Sequence, residues 1–421
     1  MTQYFDPSEI VRGIQQLLVS DKKKIGFLFG AGTSLSKKAE ESPAIPAIKE
    51  MTDRLIVGIK KHEKYIKTID EIELEIFEDG KVFTVETLLS NIEEKIAIIG
   101  NGTLNQLNKK ELGELDNLIK TEILEIISVH NDITDKLYSK MVQCDFANWI
   151  KSANRKFAVE IFTTNYDYLF EIGLEHFSVP YYDGFTGSYK PFFNPDSLED
   201  LGYLPQQTKL WKIHGSLGLH QDENTGKIVK GASSQNDLLI YPSSLKYNDS
   251  RKQPYASFMD RLNLFLKQDD AVLFVCGYSF GDEHINERIL SALETNTTAH
   301  VFVLNYDIQL TGDKTKTNTF VDGCDHAKLA QKCRKLSILS SRAAVIGSKF
   351  GIWRLKREPD DDTINLNWYF DEDAPIDLDV PLKSEKKGNE QWTGEGELTI
   401  IDFGKFTNFL LNMIPKMEWC E

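Results

Sequence analysis

Five short and almost wholly apolar segments each run directly into glycine, asparagine, histidine or another residue that can do chemistry; they are residues 25–29, 159–162, 210–213, 271–275 and 301–304. Continuous apolar runs of this length are typical of strands buried on both faces of a parallel sheet. Ligands collect beyond the carboxyl ends of such strands. We therefore predict an α/β fold with a Rossmann-like parallel sheet, helices on both faces, and one crevice where the five strand ends converge.

A long helical stretch separates the first two segments. Leucine, isoleucine and valine recur at helical spacing over residues 85–99 and again over residues 112–127. Apolar stripes of this kind usually face the core of the element that carries them. The spacing predicts a helical insertion over about residues 50–155, and we assign no chemistry to its stripes.

The character of the chain changes near Lys349, where aromatic residues begin to alternate with polar ones. With 421 residues the chain is too long for one ordinary core. We predict a catalytic domain over residues 1–340 and a small, mostly β appendage over residues 341–421, which we interpret as an assembly or partner module. Residues 406–413 are apolar and predict a short helix that docks on this appendage or on a partner.

Charge and cysteine content exclude several classes of protein. The formal net charge is −15, from 49 Lys and Arg against 64 Asp and Glu, so we predict no direct nucleic acid binding. No apolar stretch is long enough to span a membrane and no export signal begins the chain, so we predict a cytoplasmic protein without membrane contact. The scattered cysteines fit a reducing compartment; they are Cys144, Cys276, Cys324, Cys333 and Cys420.

The first apolar segment runs into Gly30, Ala31, Gly32, Thr33 and Ser34. Two glycines in this place allow a tight turn and leave the amides of a following helix facing a pyrophosphate. The third glycine of the usual dinucleotide motif is missing. Because glycines serve purely steric needs in such turns about as often, this motif alone leaves both interpretations open.

The second segment leads into Thr164, Asn165 and Asp167. The Asn165 amide can donate and accept at once, which suits a ribose hydroxyl or an attacking water. Asparagine and aspartate at a strand end also cap helices and close turns about as often, so both roles stay open here. The third segment leads into His214, a candidate general base beside Gly215, although a lone histidine is more often structural.

Two later segments also end in polar residues. Gly277 and Ser279 follow the fourth segment and could meet phosphate or ribose, whereas Asp282 reads as a helix N-cap. Asn305 ends the fifth segment and could contact an adenosine hydroxyl or base.

In this order the five segments resemble the sirtuin family over about residues 25–307, with the helical stretch as the customary insertion of that family. The resemblance implies that NAD is the substrate. It further implies that the pyrophosphate site is formed by Gly30, Ala31, Gly32, Thr33 and Ser34. The nicotinamide-ribose site would be formed by Thr164, Asn165, Asp167 and the catalytic histidine, His214. The adenosine site would be formed by Gly277, Ser279 and Asn305.

Two departures from the protein-deacylating sirtuins bear on the acceptor. Those enzymes carry a four-cysteine zinc ribbon after the catalytic histidine, whereas residues 214–271 contain no cysteine, so we expect neither zinc nor another metal. The Ile45–Pro46 pair resembles the Ile-Pro element of the family, but no Asp-Phe-Arg follows it. An acyl-lysine channel is therefore not expected.

The sequences Thr-Thr-Asn-Tyr-Asp at residues 163–167 and Gly-Tyr-Ser-Phe at residues 277–280 make the chain similar to zinc-free bacterial antiphage effectors that deplete NAD. This resemblance implies an NAD hydrolase that is activated by a partner or by assembly, a homo-oligomer, and pairing with a HerA-type hexameric ATPase. Two alternatives stay open: an NAD-dependent protein deacylase or ADP-ribosyltransferase, and a non-catalytic NAD-binding scaffold.

Overall fold

The computed structural model of the chain describes residues 3–153, 155–233, 237–240, 252–310, 316–359, 366–374 and 392–414. Its strands are β1 (Tyr4–Phe5), β2 (Lys24–Phe29), β3 (Thr103–Leu104), β4 (Leu107–Asn108), β5 (Glu160–Thr163), β6 (Tyr181–Tyr182), β7 (Phe185–Thr186), β8 (Phe192–Phe193), β9 (Thr208–Lys212), β10 (Leu219–Gln221), β11 (Ile228–Lys230), β12 (Ala271–Cys276), β13 (His300–Leu304), β14 (Ile308–Leu310), β15 (Lys316–Asn318), β16 (Leu336–Leu339), β17 (Ala343–Ile346), β18 (Lys349–Trp353), β19 (Phe370–Asp371) and β20 (Glu397–Leu398).

The α-helices of the same ranges are α1 (Pro7–Val19), α2 (Ala31–Leu35), α3 (Ile48–Ile59), α4 (Glu63–Glu78), α5 (Val85–Ile98), α6 (Lys109–Ile127), α7 (Val142–Ser152), α8 (Leu169–His176), α9 (Asp196–Glu199), α10 (Tyr255–Lys267), α11 (Glu283–Thr295), α12 (Asp325–Gln331) and α13 (Phe403–Leu411). Short 3₁₀ helices add Val129–Asp132, Asp135–Lys140, Leu366–Trp368 and Thr399–Ile401.

The main sheet has ten strands in the order β1-β18-β17-β16-β13-β12-β2-β5-β9-β6. From β16 to β6 every neighbouring pair is parallel, and β17 pairs antiparallel with both β16 and β18. The six strands from β9 to β16, numbered by their appearance along the chain, stand in the order 3-2-1-4-5-6, which is the doubly wound Rossmann order. All five predicted strands are present, and the predicted fold class is confirmed.

Helices cover both faces of this sheet. Phe27 and Phe29 of β2 point to the face covered by α1, α7, α8 and α13, while the intervening Leu28 points to the face covered by α10, α11 and α12. This alternation follows from the pleat of a strand, and both sets of side chains are buried because both faces carry helices. The continuous apolar composition of β2 is thereby explained.

The helical insertion is built around a core that also includes Leu217 and Leu239 from beyond β9. The apolar stripes of α5 and α6 are buried against α3 and α4, with Leu88, Leu89, Leu112 and Ile119 wholly inaccessible to solvent. The predicted structural role of both stripes is confirmed.

The chain beyond β16 continues the main sheet. Strands β17 and β18 extend the sheet from β16, and β1 from the start of the chain pairs parallel with β18. The boundary predicted at residue 340 lies between two adjacent strands of one sheet, and the division into domains remains a prediction.

The predicted terminal helix is present as α13. Its predicted docking on the C-terminal segment is confirmed in part, because α13 packs on the 3₁₀ helix Thr399–Ile401 and the Phe409 ring lies 4.6 Å from Tyr369. The helix packs on α7 and on the face of the main sheet, where the Phe406 ring lies 6.3 Å from Phe27 and 6.0 Å from Phe274. Phe406 and Phe409 are buried, so α13 covers apolar surface that the sheet could not leave exposed.

Among the helices of the described ranges, none combines the length and the apolar character that crossing a membrane requires.

His300 of β13 makes the stability of the fold depend on pH. Burial lowers the pKa of His300 to about 4, and its Nε2 lies 3.0 Å from Ser337 Oγ. A histidine in the unfolded chain has a pKa of about 6.5, so the unfolded state takes up the proton first. The stability that neutral His300 contributes is therefore complete above pH 6.5 and is lost as the pH falls towards 4.

We expect His300→Gln to remove this part of the pH dependence. In urea unfolding at pH 7 and pH 4.5, the fall in unfolding free energy should be smaller in the variant by about 2 kcal/mol, a value reduced for partial solvent access. Comparing the two proteins cancels the contribution of the carboxylates. An identical fall in both proteins would show that His300 titrates normally.

Candidate functional site

The structure brings all five predicted strand ends to one edge of the sheet. Strands β13, β12, β2, β5 and β9 are consecutive neighbours, and their last residues pair in register. Asn305, Gly277, Gly30, Asn165 and His214 follow these strands in that spatial order. The strand order reverses between β2 and β12, where open α/β sheets bind their ligands.

The glycines at this reversal pack two turns directly against each other. A Cβ atom on Gly30 would lie 2.4 Å from the carbonyl oxygen of Gly277, and one on Gly32 would lie 2.7 Å from Gly277 Cα. Gly277 has φ +63°, and a Cβ atom there would lie 2.6 Å from the amide nitrogen of Thr33. Side chains are thus excluded from all three positions, and the steric interpretation of the motif accounts for its glycines.

The same packing occupies backbone amides that the pyrophosphate hypothesis assigned to a ligand. Gly30 N donates to Cys276 O, Gly32 N to Gly277 O and Thr33 N to Gly30 O, each at 3.0 Å. Helix α2 has five residues, and Thr33 and Ser34 are buried while Ala31 is exposed. The pyrophosphate role of this turn remains a prediction. Within the turn, the exposed Ala31 and the partly exposed Gly32 are the residues left to contact a phosphate.

Asn165 ties the end of β5 to the glycine turn. Its Nδ2 lies 3.1 Å from Gly30 O, 3.1 Å from Thr33 Oγ1 and 2.8 Å from Ser34 Oγ. Ser34 Oγ in turn donates to Asp167 Oδ2 at 2.7 Å. Asn165, Ser34 and Asp167 therefore form one buried polar network. Ser34 was predicted as a pyrophosphate residue, and in this network it contacts the predicted nicotinamide-ribose residues.

Asp167 also closes the turn that leads into α8, one of the two structural roles that the sequence left open. Its Oδ1 accepts a hydrogen bond from Leu169 N at 3.0 Å, at the start of α8. Lys212 donates to the backbone carbonyl of Asp167, and Thr164 N donates to Phe29 O at 3.0 Å. These bonds hold the loop after β5 in one position relative to β2 and β9.

His214 is paired with a carboxylate. Only 5% of the residue is exposed, and its Nε2 lies 3.0 Å from Oδ2 of Asp282, which is 7% exposed. Asp282 is also the N-cap of α11, where its Oδ1 accepts from His284 N at 3.2 Å. A buried carboxylate at one ring nitrogen fixes the orientation and tautomer of a histidine.

The sequence predicted Asp282 only as a helix cap and did not predict its pairing with His214. His214 and Asp282 are 68 positions apart and follow strands that are separated by two others in the sheet. An Asp in a helix N-cap position carries no local signal of a second contact.

A cavity of about 450 Å³ lies beside the strand-order reversal. It is lined by four predicted residues, Gly32, Gly277, Ser279 and Asn305. The predicted adenosine residues therefore share one cavity, although Asn305 Nδ2 already donates to Ser340 Oγ at 2.7 Å. The remaining lining residues were not predicted; they are Tyr278, Leu304, Tyr306, Gln309, Thr319, Phe320, Cys324, Asp325 and His326.

Several of these unpredicted residues come from the segments after β13. His326 of α12 lies with its Nε2 2.9 Å from the carbonyl oxygen of Ser279, which joins α12 to the turn after β12. Neither His326 nor Tyr306 stands in a motif, so the sequence offers no sign of their position at the cavity.

Over the ranges that the structure describes, no group of three or more His, Cys, Asp or Glu side chains is placed to hold a metal ion. The expectation of a zinc-free chain remains a prediction.

Comparison with known families identifies part of the chain. Residues 159–322 match the family model of the SIR2-like domain. The matched range holds the ends of β5, β9, β12 and β13, and it leaves out the glycine turn after β2. No curated protein matches the chain. The match supports a sirtuin-like family, whose members use NAD.

Proposed function

We propose that this chain, which carries a SIR2-like match over residues 159–322, cleaves the nicotinamide–ribose bond of NAD with water. The observation that carries this proposal is the arrangement at one sheet edge. The cavity lined by Gly277, Ser279 and Asn305 lies on one side of the strand-order reversal, and Asn165 and His214 follow the strands on the other side. A dinucleotide laid across the reversal would reach both.

The reaction assigns distinct roles to the polar residues. The water oxygen forms a bond to the anomeric carbon, the C–N bond breaks, and its electron pair neutralises the nicotinamide ring as it leaves. His214 takes up the proton of the attacking water. With Asp282 holding a proton on Nε2, Nδ1 is the basic nitrogen of His214. Asn165, held by Ser34 and Gly30, fixes the loop that faces the ribose.

Asp282→Asn should separate the positioning role of this carboxylate from its capping role. Asparagine caps helices as well as aspartate does, so α11 should keep its start. An amide cannot hold the histidine tautomer as a carboxylate does, and we expect kcat for NAD to fall about 10²-fold or more while KM changes little.

Asp6→Asn is the matched control for this variant. Asp6 is likewise an N-cap, of α1, and it is likewise 7% exposed, but it accepts from the amide and hydroxyl of Ser8 and from the amide of Lys356. We expect unchanged NAD turnover in the Asp6 variant. Equal losses of kcat in both variants would show that Asp282 acts through stability alone.

The wider role follows from the same proposal. We infer that NAD depletion defends a bacterial cell against phage, and that the enzyme is held inactive until a partner or assembly releases it. Free-running NAD hydrolysis would harm the host, so the enzyme needs a control on its activity. A homo-oligomer paired with a HerA-type hexameric ATPase would supply the trigger.

The test of the reaction class is NAD consumption with and without an acceptor. The protein, together with any partner that co-purifies, is incubated with NAD alone, with NAD and an acetyl-lysine peptide, and with NAD and a mixture of acceptor proteins. We expect nicotinamide release from NAD alone at a rate that neither addition changes. Release only with the peptide or the proteins would identify a deacylase or an ADP-ribosyltransferase, and binding without release would identify a scaffold.

A further inference from the structure

A second cavity, of about 490 Å³, shares no residue with the candidate NAD site. Its wall combines one face of α8 with residues from the 3₁₀ segments, β6 and β11. The polar side chains of this wall include Glu171, Glu175, Tyr138, Tyr168, Tyr181 and Lys230. Ile133, Ile172 and Pro191 add apolar surface between them.

Glu171 brings a carboxylate oxygen without a partner to this cavity. The residue is 6% exposed, and its Oε1 lies 2.9 Å from Lys212 Nζ. Its Oε2 is buried and accepts no hydrogen bond from any residue in the described part of the chain. Burial raises the pKa of the Glu171 carboxyl in spite of the opposing charge of Lys212. The ion pair thus compensates this carboxylate only in part, and a buried acceptor of this kind calls for a donor.

The neighbouring groups are suited to a donor that carries positive charge. Glu175 stands one turn along α8 from Glu171, and its Oε1 accepts from Tyr181 Oη at 2.8 Å. The cation in the wall, Lys230, is paired with Asp183, and its charge also acts on Glu171 and Glu175. Three tyrosines belong to the wall, and aromatic rings together with carboxylates are the groups that bind organic ammonium ions in proteins.

We propose that this cavity binds a small organic ammonium ion, with an N–H donor directed at Glu171 Oε2 and an alkyl chain lying among the tyrosines. Side chains four positions apart on a helix are neighbours about 5–6 Å apart. A four-carbon diamine can therefore place one ammonium at Glu171 and the other at Glu175. The site would bind an amine whether or not the chain hydrolyses NAD.

The probe for this site is 1,4-diaminobutane, and its neutral counterpart is 1,4-butanediol. Titrated into the full-length protein in a calorimeter, the diamine should bind saturably and the diol should not. Glu171→Gln should weaken diamine binding at least tenfold. Glu86→Gln, which removes an exposed glutamate from the distant helix α5, should leave the binding unchanged.

Glu175→Gln keeps the proposal testable if the Glu171 variant fails to fold. Glu175 is exposed, so its replacement should leave the fold intact and weaken diamine binding several-fold. Tyr181→Phe removes the hydroxyl that orients Glu175 and should weaken binding in the same direction. The proposal is overturned if the wild-type protein does not bind the diamine, if it binds the diol equally well, or if the folded glutamate variants bind the diamine as tightly as the wild type.

Discussion

His214→Gln is expected to lower NAD turnover by about 10²–10⁴-fold, the usual contribution of a general base. Glutamine keeps a donor for Asp282 but cannot accept and hold the proton of the attacking water. Alanine would remove the base as well, and it would also leave the buried Asp282 carboxylate without its histidine, at a cost of about 1–3 kcal/mol in stability. The glutamine variant therefore isolates the chemical role. The measurement is the rate of nicotinamide release at saturating NAD, with urea unfolding as the test of folding.

His300→Gln is the control, because His300 is a partly buried histidine that lies at the opposite end of a strand from the candidate site. We expect its NAD turnover to equal that of the wild type. Turnover within about threefold of the wild type in folded His214→Gln would remove His214 from the mechanism.

Gly277→Ala is expected to destabilise the fold by at least about 2–3 kcal/mol and to abolish NAD binding. A residue with a side chain at φ +63° is strained in itself. The added Cβ would also lie 2.6 Å from Thr33 N and 2.8 Å from the carbonyl carbon of Gly32. These are backbone atoms, so the turns after β2 and β12 must move apart, and the cavity beside them must change shape.

Gly113→Ala controls for the loss of a glycine as such. Gly113 lies within α6, and a Cβ atom there would meet nothing within 4 Å. Alanine should stabilise the helix by about 0.5–1 kcal/mol and leave NAD binding unchanged. Urea unfolding and calorimetric titration with NAD measure both effects. A Gly277 variant with wild-type stability and affinity would contradict the close packing of the two turns.

The sequence predicted the strands of this fold well because their composition is determined locally. A strand buried on both faces has no polar position, so the segments that became β2, β5, β9, β12 and β13 are recognisable one at a time. Their spatial order is set by pairing between distant segments, and no local pattern reports it. For the same reason the alternating residues after Lys349 could not show that β18 pairs with β17 and β1 in the main sheet.

In the candidate site, too, features of the local sequence could be predicted, whereas contacts between distant segments could not. Gly277, Ser279 and Asn305 could be singled out because each follows an apolar segment, and the structure places all three at one cavity, while their role remains a prediction. A glycine turn reads alike in sequence whether it approaches a phosphate or another backbone, so the hydrogen bonds of Gly30 and Gly32 to residues 276 and 277 could not be foreseen. The pair of His214 with Asp282 depends on the path of the loop after β12, which is a property of the folded chain.

The central claim is that NAD is hydrolysed in the crevice where the strand order reverses, and product stoichiometry tests it most directly. The wild-type protein, with any partner that co-purifies, is incubated with NAD alone beside the Asn165→Ala and His214→Gln variants, and the products are separated by chromatography. We predict nicotinamide and ADP-ribose in equal amounts from the wild type, and intact NAD from both folded variants. Intact NAD from the wild-type assembly, or equal turnover in all three proteins, would contradict the account.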